Sequence, residues 1–183
     1  SVESAIENLK VEAPHWNFDQ YRLEAEQMWN DELSKILIEE GTDDERTNFY
    51  TGLYHSFTTP NNYSDVNHVY RGMDQKHYID ESVDRYTVFS LWDTFRATHP
   101  LFTLTQEKKT REFMDGFLAM YEEGGQLPMW ELANNYTGCM IGYHSVSALT
   151  DAYVKGTWKP KDIDLMLEAM VQAADSAHLG KTE

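Results

Sequence analysis

The chain of 183 residues has one cysteine, five prolines and few basic residues, and each scarcity excludes something. With Cys139 alone, no internal disulfide can form, and the redox compartment is left open. The apolar neighbours of Cys139 in sequence predict a packed thiol. No basic group is arranged beside it, so it is a poor nucleophile. Fifteen Lys plus Arg stand against 31 Asp plus Glu, a formal charge of −16, which repels nucleic acid but is compatible with a neutral ligand such as a sugar. No apolar run in these residues is long enough to span a membrane, and no signal-peptide or lipidation pattern lies within them, with a leader ahead of Ser1 left open.

Familiar chemical motifs are missing too. His55, His68, His77, His99 and His144 form no i, i+4 pair and no His-Glu-x-x-His arrangement, and no segment alternates carboxylates around a glycine as a calcium loop does. Gly124-Gly125 is followed by Gln-Leu-Pro and lacks the Lys-Ser/Thr of a phosphate loop, and Ser145 and Ser147 lack the Gly-x-Ser-x-Gly elbow.

Hydrophobic residues make up 41% of the chain and aromatics 13%, with five Trp and 11 Tyr, enough for a core of ordinary domain size. Helical periodicity and caps predict seven helices, at about 2–12, 19–35, 43–55, 88–98, 107–122, 142–155 and 162–177. Pro14, Pro100, Gly124-Gly125 and Gly156 punctuate them. Ile36-Leu37-Ile38 is too short to tell strand from helix end. Residues 56–86 lose the period and are polar and turn-rich, with turns at 59–62 and 71–74 and room for a small hairpin between them. A loop of that length is expected to build part of a site. The fold class is mainly α, and no strand series could make a main sheet.

Two constellations could carry chemistry. Trp130-Glu131 follows the Gly-Gly-Gln-Leu-Pro loop and is placed ahead of a helix; the indole offers a face for a sugar ring, and its bulk can desolvate the carboxyl and raise its pKa, as a general acid requires. The plainer reading makes Glu131 a first-turn carboxylate favoured by a helix dipole. In Trp92-Asp93-Thr94-Phe95-Arg96, Asp93 and Arg96 fall on one helical face: either an intrahelical ion pair, or a carboxylate and a cation that hold a ligand's hydroxyls. Asn62-Tyr63-Ser64 and Asn135-Tyr136-Thr137 match the N-glycosylation sequon.

Several longer strings are more specific. Phe49-Tyr50-Thr51-Gly52-Leu53-Tyr54-His55, Tyr70-Arg71-Gly72-Met73-Asp74, Tyr86 through Arg96, Gly125-Gln126-Leu127-Pro128-Met129-Trp130-Glu131-Leu132, Thr137-Gly138-Cys139-Met140-Ile141-Gly142-Tyr143-His144 and Asp151-Ala152-Tyr153-Val154-Lys155-Gly156 follow one another in order. Together they resemble the exo-α-mannosidases of glycoside hydrolase family ninety-two along essentially the whole chain.

The resemblance implies that residues 1–183 are one helical segment of an (α/α)6 barrel, with an N-terminal β-sandwich before Ser1 and the rest of the barrel outside this sequence. It implies a calcium-dependent, inverting exo-α-mannosidase acting on terminal, α-1,2-linked mannose of high-mannose glycans, in the periplasm or secreted. Glu131 would be the general acid, and Trp92, Asp93 and Arg96, with Trp130, would line the mannose pocket. The metal ligands are left unassigned. An inverting enzyme also needs a base, with the two carboxyls roughly 6.5–9.5 Å apart. The family's base lies in a Gly-Asp-x-Asp-x-Gly-Gln-like motif that this sequence lacks, as it lacks the residues thought to hold calcium. Some members carry a Glu near the position of Tyr136, where this chain has no carboxyl. The partners implied are a mannose-containing glycan and the rest of the same polypeptide, and the isolated segment is expected to be inactive. The competing class is a non-catalytic helical module that binds glycans or other proteins.

Overall fold

A computed structural model describes residues 1–175, in two compact units, 1–58 and 59–175. The first unit is three helices: α1 (Val2–Glu12), α2 (Phe18–Leu33) and α3 (Asp43–Ser56). Ser1 and Asn17 cap the first two through their side chains, and Thr42 and Glu45 form a reciprocal capping box on α3, satisfying amide groups that a helix start leaves free. Trp29 of α2 meets Tyr54 of α3 with ring centroids 4.4 Å apart. Ile36-Leu37-Ile38 pairs with no strand. Val2, Ile6 and Leu9 on α1, and Leu23 and Met28 on α2, are exposed.

The second unit holds six short strands and five helices: β1 (Asn61–Asn62), β2 (Val69–Arg71), β3 (His77–Ile79), β4 (Tyr86–Thr87), β5 (Phe89–Ser90), α4 (Leu91–Thr94), α5 (Thr98–Thr105), α6 (Glu107–Gly124), β6 (Trp130–Glu131), α7 (His144–Val154) and α8 (Ile163–Asp175). The strands pair antiparallel in twos, β1 with β4, β2 with β3 and β5 with β6. The class is mainly helical, as the sequence indicates.

Its core is built on α6, whose Phe113, Met114, Phe117, Leu118 and Met120 recur at helical spacing and are buried. Phe117 has no exposed surface. Phe89 of β5 sits edge-on to Phe113 and Phe117 at 5.5 and 4.8 Å, and His99 of α5 lies in the same cluster. α6 ends where Gly125 turns left-handed, φ +75°, which glycine adopts without a Cβ clash.

Three sequence expectations are corrected. The helix expected over 88–98 is broken: Val88 has φ +68°, Phe89–Ser90 is a strand, α4 stops at Thr94 and α5 starts only at Thr98. The hairpin in 56–86 runs through residues 72–76, so the turn expected at 71–74 lies inside it, while Asn61–Asn62 pairs with Tyr86–Thr87. Trp130–Glu131 is a strand, so the helix-dipole reading of Glu131 has no helix to act on. The expected helix over 162–177 extends past the described residues at 176 and 177.

The β2–β3 hairpin is held to the end of α6 by Glu123. One carboxylate oxygen accepts the Tyr70 hydroxyl at 2.8 Å, and the other accepts the Met73 N–H at 3.0 Å. Burial, with the Glu123 contact, pushes the Tyr70 phenol up to about 12 against the opposing charge of Arg85. The long polar segment is thus fastened to α6.

Candidate active site

The β5–β6 pair sets Phe89 opposite Glu131 and Ser90 opposite Trp130. Because successive strand side chains point to opposite faces, the two members of the Trp130-Glu131 pair separate. Glu131 goes inward with Phe89, and Trp130 goes with Ser90. The indole N–H of Trp130 donates to the Ser90 hydroxyl at 2.7 Å, and that hydroxyl donates to the Asp93 carboxylate. Ser90 stands at the N-cap of α4 but makes no capping bond, since its side chain is committed to this relay.

Trp92, Asp93 and Arg96 are exposed. No ion pair joins Asp93 to Arg96, because α4 ends at Thr94 and the expected helical face stops short of Arg96. Instead the guanidinium lies 5.2 Å from the Phe95 ring centroid. His144, at the start of α7, stacks on Phe95 at 3.9 Å and lies 5.4 Å from Trp92. Burial, followed by the positive charge of Arg96, lowers the His144 pKa and favours the neutral ring. Gly142 has φ +87°, and a Cβ there would come within 2.5 Å of His144 Nε2, so the loop needs glycine on both counts. The indole of Trp92, the carboxylate of Asp93 and the guanidinium of Arg96 are exposed, and the half-buried ring of His144 packs against Phe95 and Trp92. Such a set can stack on a sugar face and bond its hydroxyls in two directions.

Glu131 is placed differently: it has no exposed surface. Its carboxyl accepts the Thr87 hydroxyl at 3.0 Å, the Phe89 N–H at 3.2 Å and the Asn134 N–H at 3.2 Å. Thr87 Oγ1 in turn accepts the Ala133 N–H at 2.6 Å, which leaves its own proton for Glu131. Burial pushes the carboxyl pKa up, against the pull of these donors, and the Glu131 charge adds to burial in raising the Tyr136 phenol. Trp92, Asp93 and Arg96 are thus each exposed, Trp130 is linked to Asp93 through Ser90, and Glu131 is enclosed. Both oxygens of Glu131 are thus engaged by donors of the chain itself.

After Glu131 the chain doubles back. Leu132 and Asn135 exchange backbone hydrogen bonds at 3.0 and 3.1 Å, and the two residues between them, Ala133 and Asn134, have φ +50° and +52°. Positive φ at both central positions is the signature of a type I′ turn, which an alanine adopts only when held. Arg71 and Tyr63 donate to the Ala133 carbonyl at 3.0 and 3.2 Å, and Asn134 donates to the Arg71 carbonyl at 2.6 Å. The segment expected to pack Cys139 runs over the surface instead, and the thiol is exposed.

Sequence reasoning missed Ser90, Thr87, Val88 and the turn at Ala133-Asn134. Ser90-x-x-Asp93 has the spacing of a helix-start signature and was the one available signal. Among the described residues no three His, Cys, Asp or Glu side chains lie close enough to share a metal ion. Calcium takes roughly six to eight oxygen ligands, so these residues do not by themselves fit the ion that the resemblance implies.

Comparison with known proteins gives the class of this mainly helical domain. The glycosyl hydrolase family 92 catalytic domain matches residues 4–183, and the chain belongs to that family. A family GH92 α-mannosidase of Bacteroides thetaiotaomicron is 37% identical, with a TM-score of 0.88, over 97% of this chain and 24% of its own. An inverting GH92 mannosidase of the same organism is 33% identical, with a TM-score of 0.90, again over 97% of this chain and 24% of its own. An uncharacterized secreted glycosidase of Arthroderma benhamiae is 24% identical over 177 residues, which are 94% of this chain and 19% of that protein. The chain thus spans about a quarter of the length of these solved relatives. No helix among the described residues is long and apolar enough to cross a membrane.

Proposed function

We propose that the protein containing this chain is an inverting exo-α-mannosidase that removes terminal, α-1,2-linked mannose from high-mannose glycans in the periplasm or outside the cell. In this reading the chain contributes one wall of the mannose pocket. Trp92 offers the stacking face, Asp93 accepts sugar hydroxyls, and Arg96 supplies a fixed positive charge. Trp130 acts through Ser90 to hold Asp93. The observation that carries the reading is the exposure of Trp92, Asp93 and Arg96 in a chain of this family. The names of the two bacterial relatives, one an inverting mannosidase, support the reaction class.

The base, the calcium ligands and the leaving-sugar contacts would come from the rest of the polypeptide. The exposed apolar stripes of α1 and α2 have the character of faces awaiting such neighbours. Mannose release from α-1,2-mannobiose by the full-length protein, with wild type and Asp93→Asn compared, tests the reading. Turnover by wild type that drops sharply in the variant supports it. Absence of turnover in the calcium-supplied wild type, or full activity in the variant, overturns it. The 183 residues alone should release no mannose.

A further inference from the structure

The buried carboxylate of Glu131 reaches two strained pieces of backbone at once. On one side it accepts from Thr87 and Phe89, the residues that flank Val88. Val88 has φ +68°, a conformation that a β-branched side chain adopts only where its surroundings hold it, and its own amide adds to the field at the carboxylate. On the other side Glu131 accepts from Asn134, the second left-handed residue of the type I′ turn. These segments lie far apart in sequence, and the carboxylate with Thr87 ties them together.

What hangs on Val88 is the orientation of everything after it. Before it, Thr87 pairs with Asn61; after it, Phe89 and Ser90 pair with Glu131 and Trp130, and α4 begins with Trp92 and Asp93. Each resolved partner of the carboxyl is a donor, so the geometry is that of an acceptor locked in place.

We propose that Glu131 is a positioning residue whose buried carboxylate holds the left-handed turns at Val88 and Ala133-Asn134, and so aims Ser90, Trp92 and Asp93 at the sugar. This rests on the reading of Trp92, Asp93 and Arg96 as the mannose pocket. A glutamine at 131 would turn one acceptor into a donor facing donors and release the turn. The sugar ligands would then be displaced with no change in the proton-transfer groups.

The test uses the full-length protein with two substrates, α-1,2-mannobiose, whose departing oxygen needs a proton, and 2,4-dinitrophenyl α-mannoside, whose leaving group does not. In Glu131→Gln, kcat/KM falls by the same factor on both, about 100-fold, the scale of an ångström misplacement. The shape of the pH profile stays that of wild type, and adding Val88→Gly restores about tenfold on both, since glycine holds positive φ unaided. A loss confined to mannobiose, with the alkaline limb of the profile abolished and no rescue, makes Glu131 the proton donor and overturns the proposal. Should Glu131→Gln fail to fold, Thr87→Val gives the same decision. It lowers both rates together if Glu131 positions, and shifts the alkaline limb upward if Glu131 is the acid. If wild type cleaves neither substrate, the mannosidase reading fails on its own. The positioning role is then read from amide hydrogen exchange over 88–96, which must quicken in Glu131→Gln or Thr87→Val, and unchanged exchange overturns it.

Discussion

Trp130 donates its indole N–H to the hydroxyl of Ser90, 40 residues earlier, at 2.7 Å, and Ser90 passes its own proton toward Asp93. The indole thus orients the carboxylate through one hydroxyl. Ser90→Ala removes both bonds at once. Hydrogen bonds to charged groups are worth about 1.5–3 kcal/mol, so kcat/KM of the full-length protein on α-1,2-mannobiose should fall about 10- to 100-fold, with folding intact by circular dichroism. A change of less than twofold would mean that Asp93 needs no such support.

His99 makes a pH prediction. It is buried among Phe89, Phe102, Phe113 and Phe117, and burial lowers its pKa from 6.5 to about 4. The unfolded chain therefore takes up the proton first as pH falls, so stability is fully present above pH 6.5 and is lost toward pH 4. The loss is on the order of 3 kcal/mol. His99→Leu should flatten this part of the profile of unfolding temperature against pH. An identical slope in the variant would place the titration elsewhere.

Glu123 predicts a local effect. With Glu123→Ala, the Tyr70 hydroxyl and the Met73 N–H lose their acceptors, at a cost of about 1–3 kcal/mol. Hydrogen exchange should quicken over 69–79 and stay unchanged in α1. Uniform exchange would show that the hairpin is held by other contacts.

Phe117 sits at the centre of the aromatic cluster with no exposed surface. Truncating it to alanine should destabilise the domain by about 3–5 kcal/mol, read as a lower midpoint of chemical unfolding. A shift under 1 kcal/mol would mean that the site collapses without leaving a cavity.

Where the rules are local, the sequence could be read. The start of α3 at Thr42 with Glu45, and the end of α6 at Gly125, are fixed by capping bonds and by one left-handed glycine, so their residues announce them. The run from Val88 to Thr98 has helical period but is overridden at long range: β6 pairs with Phe89–Ser90 from about 40 residues away, and that pairing is invisible to periodicity. The site shows the same division. Trp92, Asp93 and Arg96 were identified by type and spacing and are each exposed, although the ion pair weighed for Asp93 and Arg96 does not form. Glu131 was read through its neighbour Trp130, whereas its environment is made by Thr87, Phe89 and Asn134, of which only the last is near in sequence. The strand alternation that parts Trp130 from Glu131 could be inferred only once residue 130 was known to lie in a strand.

The proposed binding of the sugar at Trp92, Asp93 and Arg96 is open to direct observation. The decisive measurement is a crystal structure of the full-length protein with mannoimidazole bound. The ring is expected beside Trp92, with hydroxyls within hydrogen-bond distance of Asp93 and Arg96, and Glu131 still enclosed. A sugar bound elsewhere, or one in direct contact with Glu131, would contradict it.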